Sequence, residues 1–468
     1  MIKSAFWSSF DKIIFQVLNF GIAIMIARFL GPKEMGTIAI INGYVYFLNI
    51  FVDSGLTISI IRNKNITDKE VSSIFVFNFV VSLFFIVMTL LFSSFIENYF
   101  AIPDLALYLN LSSMILLFNS FAFVRYAKME QNMQFKLESF INIFSIVASG
   151  IVCVYMLMNG YGIFGVVVFS IATSLFKNTL YIIFTPRFKL CKFNLEVLKP
   201  HLHFGKNLLL SSSVEAIYNN GFPVLITKLF TGYDAGIFFQ SKRLIDGPVN
   251  LVSTSSRRLF LPIAAKFDND LKKTNALLLD MLKLVNYIQI FMIALLFINA
   301  DYIVLKLMGA KWLDAILIMK ILMFGMIFYV PYFLCIDVFK VTGNSRAYSR
   351  TVLFSRLFSI SLILVSSFFG FLSLVTLFSI AQLLMFLSAV YQLQSKYDFD
   401  VRAILKTIFP FLITLVAGLV IVTFITITMP QIAVLMIKTA IFALIYFAAN
   451  AYIFKYNPLQ TLYRRLKK

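Results

Sequence analysis

Apolar runs of about 20 residues, the length that crosses a bilayer as a helix, recur along the whole chain and are separated by short polar stretches. The pattern predicts fourteen spans, near 9–30, 36–60, 72–95, 104–124, 138–158, 163–184, 207–229, 235–261, 278–299, 315–339, 348–369, 371–394, 402–427 and 431–454. No polar stretch between them is long enough for a separate soluble domain. The longest, near 185–206 and 265–277, predict short amphipathic or connecting helices. The fold class that follows is an all-α polytopic membrane protein, because a helix satisfies its own backbone groups within lipid.

Two of the predicted hairpins read alike. Residues 27–36 are Ala-Arg-Phe-Leu-Gly-Pro-Lys-Glu-Met-Gly, and residues 227–236 are Thr-Lys-Leu-Phe-Thr-Gly-Tyr-Asp-Ala-Gly. A cation (Arg28, Lys228), an acid (Glu34, Asp234) and a closing glycine (Gly36, Gly236) fall in step, as do Asn19 with Asn219 and Gly21 with Gly221. A membrane hairpin repeated at this distance implies two homologous lobes, whose interface is the usual place for a transport pathway. Six spans precede the loop at 185–206 and six more end near 394. An even number returns the chain to the same side, so the lobes share orientation in a parallel pseudo-twofold repeat. The expected organisation is an N-lobe at 1–184, a cytoplasmic connector at 185–206, a C-lobe at 207–394, and two appended spans with a basic tail at 395–468.

Composition agrees: 60% of residues are hydrophobic and 13% are charged, well below the roughly 25% charged of a soluble domain. The net charge of +20 raises nucleic acid as a partner, but its placement excludes that reading. One set of loops carries Arg62, Lys64 and Lys69, then Arg125, Lys128 and Lys136, then Arg187, Lys189 and Lys192, and later Arg257, Arg258, Lys340, Arg346 and Arg350. The tail adds Arg464, Arg465, Lys467 and Lys468. The alternate set is nearly bare, with Glu97, Asp104, the turn Asn159-Gly160-Tyr161-Gly162 and Met429-Pro430, and only Lys33, Lys306 and Lys311 break the pattern. This asymmetry places both termini in the cytoplasm and favours anionic headgroups on the inner leaflet.

Other chemistry is sparse. The first span has a weakly basic leader without a small-residue cleavage site and reads as a retained helix. Cys153, Cys191 and Cys335 lack paired spacing, which argues against a disulfide or metal framework. His201 and His203 read as solvated residues of the connector, with no acid cluster beside them. Asn65-Ile66-Thr67 has the form of a glycosylation acceptor but lies on the predicted cytoplasmic side. No Gly-rich phosphate loop of the nucleotide-binding type is present.

With two six-helix lobes in view, the motifs become recognisable. The segment Ala27 to Gly36 resembles the first hairpin of the polysaccharide transporter (Wzx-type O-antigen flippase) family of the multidrug/oligosaccharidyl-lipid/polysaccharide (MOP) superfamily. Asp53-Ser54-Gly55-Leu56 resembles the Asp-x-Gly-Leu of its second helix. Further matches are Gly232-Tyr233-Asp234-Ala235-Gly236, Leu259-Phe260-Leu261-Pro262, Lys311-Trp312 and Thr342-Gly343-Asn344. The resemblance implies a flippase of the bacterial cytoplasmic membrane, not an enzyme. Its cargo would be an undecaprenyl-pyrophosphate-linked oligosaccharide feeding O-antigen, capsule or exopolysaccharide synthesis. It implies membrane lipids and polysaccharide polymerase machinery as partners, and no resident cofactor.

Charges inside spans are costly and face a cavity or a partner. Arg28 and Lys228 lie near the outer ends of spans one and seven, either snorkelling to headgroups or pairing as cations at the outer mouth. Lys242, Arg243 and Asp246 lie near mid-membrane in span eight, and Asp246-Gly247-Pro248 predicts a weakened or kinked helix. Arg243 and Asp246 are spaced to neutralise each other, yet three charges leave a net cation suited to pyrophosphate. Lys177 and Arg356, toward the inner thirds of their spans, complete the candidate cationic set, although Arg356 and Asp337 also read as snorkellers. Lys320 and Lys438 read as snorkellers too. Glu215 shares a helix face with Asn219, and Asp53, either functional or a helix-end cap, lies in the family motif. With Asp246 these are the candidate coupling or gating acids, with a proton or sodium ion left open. Alternating access is the expected mechanism. A multidrug exporter of the same superfamily, a membrane glycosyltransferase or polymerase using polyprenyl-linked sugars, and a scaffold are the rival readings.

Overall fold

The computed structural model describes residues 2–63, 66–132, 134–185, 189–267, 270–424, 431–454 and 456. Side chains are described from residue 14 onward, with gaps that include Arg62, Glu215 and Asn219. Lys64, Asn65, Arg187, Met429, Pro430 and the tail cations lie outside the described residues.

The described chain is helical and divides into two compact units, Met1–Gln240 and Ser241–Lys468. Unit 1 holds α1 (Ile2–Phe29), α2 (Pro32–Asp53), α3 (Leu56–Arg62), α4 (Asp68–Phe100), α5 (Leu105–Gln131), α6 (Phe135–Met158), α7 (Gly162–Phe184) and α8 (Leu195–Leu229). The helix α9 (Gly232–Ala265) begins in unit 1 and continues into unit 2. Unit 2 adds α10 (Leu271–Tyr302), α11 (Ala315–Met326), α12 (Tyr329–Val341), α13 (Ser345–Ser366), α14 (Phe371–Tyr397), α15 (Val401–Lys406), α16 (Phe409–Thr423) and α17 (Gln431–Ala448).

Each of the fourteen predicted spans is occupied by helix. Among the described residues, eleven segments are long and apolar enough to cross a membrane by length and composition. The exceptions are informative. The apolar stretch of α1 is short, Ile14–Phe29. The 35-residue α8 and the 34-residue α9 are long enough but interrupted by charge, α9 by Asp234, Lys242, Arg243, Asp246, Arg257 and Arg258. Helices of that composition must turn their polar positions toward protein or water.

Three predicted spans are broken helices. The second splits into α2 and α3 because Ser54 and Gly55 take left-handed conformations, with φ of 47° and 70°. Asp53 caps the new helix, accepting the Thr57 amide at 3.1 Å and the Thr57 hydroxyl. The tenth splits into α11 and α12, and Gln289 of α10 donates its side-chain amide to the Met326 carbonyl at the break. The thirteenth splits into α15 and α16, where Asn286 of α10 donates to the Thr407 carbonyl at 3.4 Å. Backbone carbonyls freed inside a membrane need such donors. One helix, α10, therefore supplies both. By contrast, α9 runs as continuous helix through Gly247-Pro248, where the sequence predicts a weak point.

The connector is helical from Leu195 on, in line with the connecting helix expected there. Residues 195–206 are the first turns of α8, capped by Asn194, whose side chain accepts the Glu196 and Val197 amides at 2.8 and 3.3 Å. Ser72 of α4 donates to the Lys189 carbonyl at 2.8 Å and accepts the Cys191 amide at 2.9 Å.

Packing in both units follows membrane rules, with small residues and hydroxyls where helices meet. In unit 1, Ser149 of α6 and Thr173 of α7 share a hydrogen bond of 2.7 Å, and Tyr44 of α2 reaches Thr89 of α4 at 2.7 Å. In unit 2, a Cβ on Gly325 would lie 2.7 Å from the Ser379 Cα, so α11 and α14 approach backbone to backbone.

Candidate functional site

The repeated turn explains its own residues. In the first copy the Gly31 amide donates to the Glu34 carboxylate at 3.0 Å. In the second the Thr231 hydroxyl donates to Asp234 at 2.6 Å and accepts the Asp234 amide at 3.1 Å. Each acid thus serves the positive N-terminal end of its helix, where a carboxylate is favoured. The closing glycines do something different, allowing the two turns to pack against each other. A Cβ on Gly36 would run into the Gly232 carbonyl, and one on Gly236 would lie 2.6 Å from the Pro32 carbonyl carbon and 2.9 Å from the Gly36 nitrogen. Contact continues along α2 and α8, where a Cβ on Gly43 would meet the Asn220 carbonyl at 3.0 Å and one on Gly205 the Ser54 carbonyl.

The candidate cations distribute over both units. Arg28 is exposed at the end of α1. Lys228, its counterpart, donates to the Tyr99 carbonyl at 3.0 Å and sits 3.8 Å from the Tyr99 ring centre, which ties the end of α8 to α4. Lys177 is half-buried on α7 and feels the Glu138 carboxylate of α6. Asp53 is half-buried and engaged with Thr57. The backbone of Glu215 lies in α8, and its side chain is outside the described residues.

In unit 2, Lys242 and Asp246 of α9 form an ion pair one turn apart, both half-buried. Sequence spacing pairs Asp246 with Arg243; the structure joins it to Lys242, the other neighbour within one turn. Of the nine candidates, Lys242 and Asp246 are directly joined. Arg243 is half-buried beside them in sequence. Arg356 of α13 is 1% exposed, with its guanidinium 3.9 Å from the Met385 sulfur and 5.9 Å from the Tyr332 ring centre. It does not snorkel: it lies within unit 2, as does Asp337, which is fully buried.

Asp337 anchors a constellation that sequence reasoning missed. Arg257 of α9 donates through Nε to Asp337 Oδ2 at 2.6 Å and through Nη2 to Oδ1 at 3.0 Å, a fork-to-fork pair. Lys340, one turn further along α12, adds a contact of 3.1 Å. The sequence signal was faint: Arg257, Asp337 and Lys340 fall near the predicted inner ends of spans eight and ten.

The reading of His201 as a solvated residue is overturned as well. It is 6% exposed. Its Nδ1 shares a hydrogen bond of 2.7 Å with Ser59 of α3, and its Nε2 lies 3.3 Å from Glu70 of α4. Glu70 also accepts the Thr67 amide at 2.6 Å. The ring joins three helices because α8 begins at Leu195 and carries it inward. Replacing His201 by Ala leaves Ser59 and Glu70 without that partner, at a cost of about 1–3 kcal/mol. Thermal unfolding of the purified variant is the check, and an unchanged midpoint would count against the network.

Long apolar helices among the described residues, with charge buried between them, define a polytopic membrane protein. Over residues 25–317, more than half its length, the chain matches the polysaccharide biosynthesis protein family, and it belongs to that family. It is 24% identical over 67% of its length to an uncharacterized membrane protein in the cps region of Klebsiella pneumoniae. It is 21% identical over 65% of its length to the succinoglycan biosynthesis transport protein ExoT of Rhizobium meliloti (strain 1021). The matches span 65% and 62% of those relatives, less than two thirds of their length. The fold is shared with the lipid II flippase MurJ in an inward closed conformation, with TM-score 0.77, 18% identity, and 97% and 99% of the two chains covered. An inward-facing multidrug resistance MATE transporter of the MOP superfamily aligns with TM-score 0.65 and 14% identity, over 84% of this chain and 96% of that one. The family match agrees with the polysaccharide family that the motifs resemble, and the solved structures show the fold.

Proposed function

We propose that this protein flips an undecaprenyl-pyrophosphate-linked oligosaccharide across the bacterial cytoplasmic membrane, with both termini inside. The observation that carries the reading is the pairing of a polysaccharide biosynthesis family match with a fold shared over 97% of the chain with a lipid II flippase. The two lobes, 1–184 and 207–394, would alternate access to the two faces while the lipid tail stays in the bilayer. Arg28, Lys177, Lys228, Lys242, Arg243 and Arg356 supply cations for an anionic head, and a partly desolvated cation attracts an anion more strongly than one in water. Asp53, Glu215 and Asp246 are the proposed coupling or gating acids, acting through a proton or a sodium ion. Polymerase machinery would take the delivered repeat units.

A multidrug exporter shares the fold. Organic cations call for an acidic or aromatic pocket, whereas six of the nine candidate residues here are cations. Depletion of the protein, followed by mass spectrometry of extracted lipids and leaflet probing in vesicles, tests the choice. A complete undecaprenyl-pyrophosphate repeat unit is expected to accumulate on the inner leaflet. Normal delivery of single repeat units to the outer leaflet would overturn the flippase reading.

A further inference from the structure

The start of α8 is fastened to unit 1 by more than apolar packing. His201 is buried, yet both ring nitrogens have partners: Nδ1 meets the Ser59 hydroxyl of α3 at 2.7 Å, and Nε2 meets Glu70 of α4 at 3.3 Å. Leu198, one turn earlier, is buried in a cluster with Leu56 and Ile60 of α3 and Val71 and Ile74 of α4. One turn later, Gly205 packs on the Ser54 carbonyl at the break between α2 and α3. Upstream, Ser73 accepts the Asn194 amide at 3.1 Å, next to the Ser72 bonds to Lys189 and Cys191. The half-helix α3 is thus held by α8 and also by Gln131 of α5, which donates to the Ile60 and Asn63 carbonyls at 3.1 and 2.8 Å.

Imidazole is the side chain that ordinarily changes charge between about pH 5 and 8, and the two partners of His201 accept both of its forms. The neutral ring donates Nε2–H to the Glu70 carboxylate and accepts the Ser59 hydroxyl proton. The protonated ring donates to both, because a hydroxyl accepts as well as it donates. Neither form leaves a buried group unmet, so the ring can change charge in place. The strength differs, because protonation adds Coulomb attraction to a carboxylate whose side chain is only 20% exposed, where water screens it less. Other charges nearby act weakly. Asp68 and Lys69 of α4, and Glu196, Lys199, His203 and Lys206 of α8, are exposed and screened by water and salt. Lys189 and Lys192, ahead of α8, are exposed as well. Lys128 of α5 is half-buried and lies 3.9 Å from Asp68, while Asp53 of α2 is engaged by Thr57. The Arg62 side chain of α3 is outside the described residues.

We propose that His201, Ser59 and Glu70 form a pH-sensitive latch that fastens the start of α8 to α3 and α4. As pH falls, His201 gains a proton, the ion pair with Glu70 forms and the latch tightens. As pH rises, the ion pair is lost, only the hydrogen bonds remain, and the first turns of α8 and the half-helix α3 open more often. On the topology predicted from loop charge, the latch responds to cytoplasmic pH. It does not depend on what the protein carries.

Hydrogen exchange read by mass spectrometry tests the latch, on the full-length protein in nanodiscs at about pH 6 and about pH 8. Protection factors, which remove the intrinsic pH dependence of exchange, are compared for residues 199–206 and 57–63, with α14 as the control. Protection of both segments is expected to be about fivefold greater at the lower pH, the size of the step from a neutral donor to a charged one. The control should not change. His201→Gln keeps a hydrogen-bonding amide that does not titrate. Glu70→Gln removes the carboxylate and keeps the residue type that closes the capping box of α4. Each variant should lose the gain in protection at acid pH. Equal protection of the wild type at both pH values overturns the latch. So does a gain that survives in either variant, or one that α14 shares. If His201→Gln does not fold, Glu70→Gln decides by the same criterion.

Discussion

Asp337→Ala is expected to destabilise the protein by about 3–5 kcal/mol, the range for removing one partner of a buried ion pair. Asp337 is 0% exposed and engages both Arg257 and Lys340. Its loss leaves two cations side by side, one drawn into the bundle by the contact with Phe333. The loss should not be symmetric with removal of the whole pair, because well-packed apolar replacements of an ion pair are often neutral. Asp337→Leu combined with Arg257→Met is therefore expected to recover most of the unfolding midpoint lost in Asp337→Ala. Detergent-solubilised thermal unfolding of the two variants gives the comparison. If Asp337→Ala melts with the wild type, the pair adds nothing to the folded state.

The second large effect is expected at the repeated turns. Gly236→Ala places a methyl group 2.6 Å from the Pro32 carbonyl carbon, against backbone that has no flexible side chain to move aside. Overpacking of this kind costs about 1–3 kcal/mol, and about 1.4 kcal/mol is tenfold in an equilibrium. The cost falls on the conformation in which the turns touch, so the variant should fold and yet favour separated turns. Spin labels on Lys33→Cys and Tyr233→Cys, in a background without the native cysteines, should report a longer distance in Gly236→Ala than in wild type. Polymer production should fall at least tenfold in a complemented deletion strain. An unchanged distance distribution would remove this account of the glycines.

Much of the fold was legible in the chain because lipid leaves few solutions: an apolar run of sufficient length has to be a helix. The broken spans were less legible. Asp53-Ser54-Gly55 contains a capping acid and a glycine suited to positive φ, so the α2–α3 break had a local signal. The α11–α12 and α15–α16 breaks are tolerated because Gln289 and Asn286, on a different helix, supply donors to the freed carbonyls. The Gly247-Pro248 step pointed to a weakened or kinked helix, and α9 is helical on both sides of it.

The sequence by itself determined the number of spans, the charge asymmetry between loops and the repeated turn, since each depends only on the order of residues along the chain. It also named the acids at the two turns, because a cap acts within three residues of its helix end. Which charges meet was decided only by tertiary structure. Arg257 and Asp337 are 80 residues apart in sequence, and Ser59 and His201 are 142 apart. A side chain in a low-dielectric bundle takes whichever partner packing brings within reach, and that depends on how helices cross rather than on spacing along any one of them.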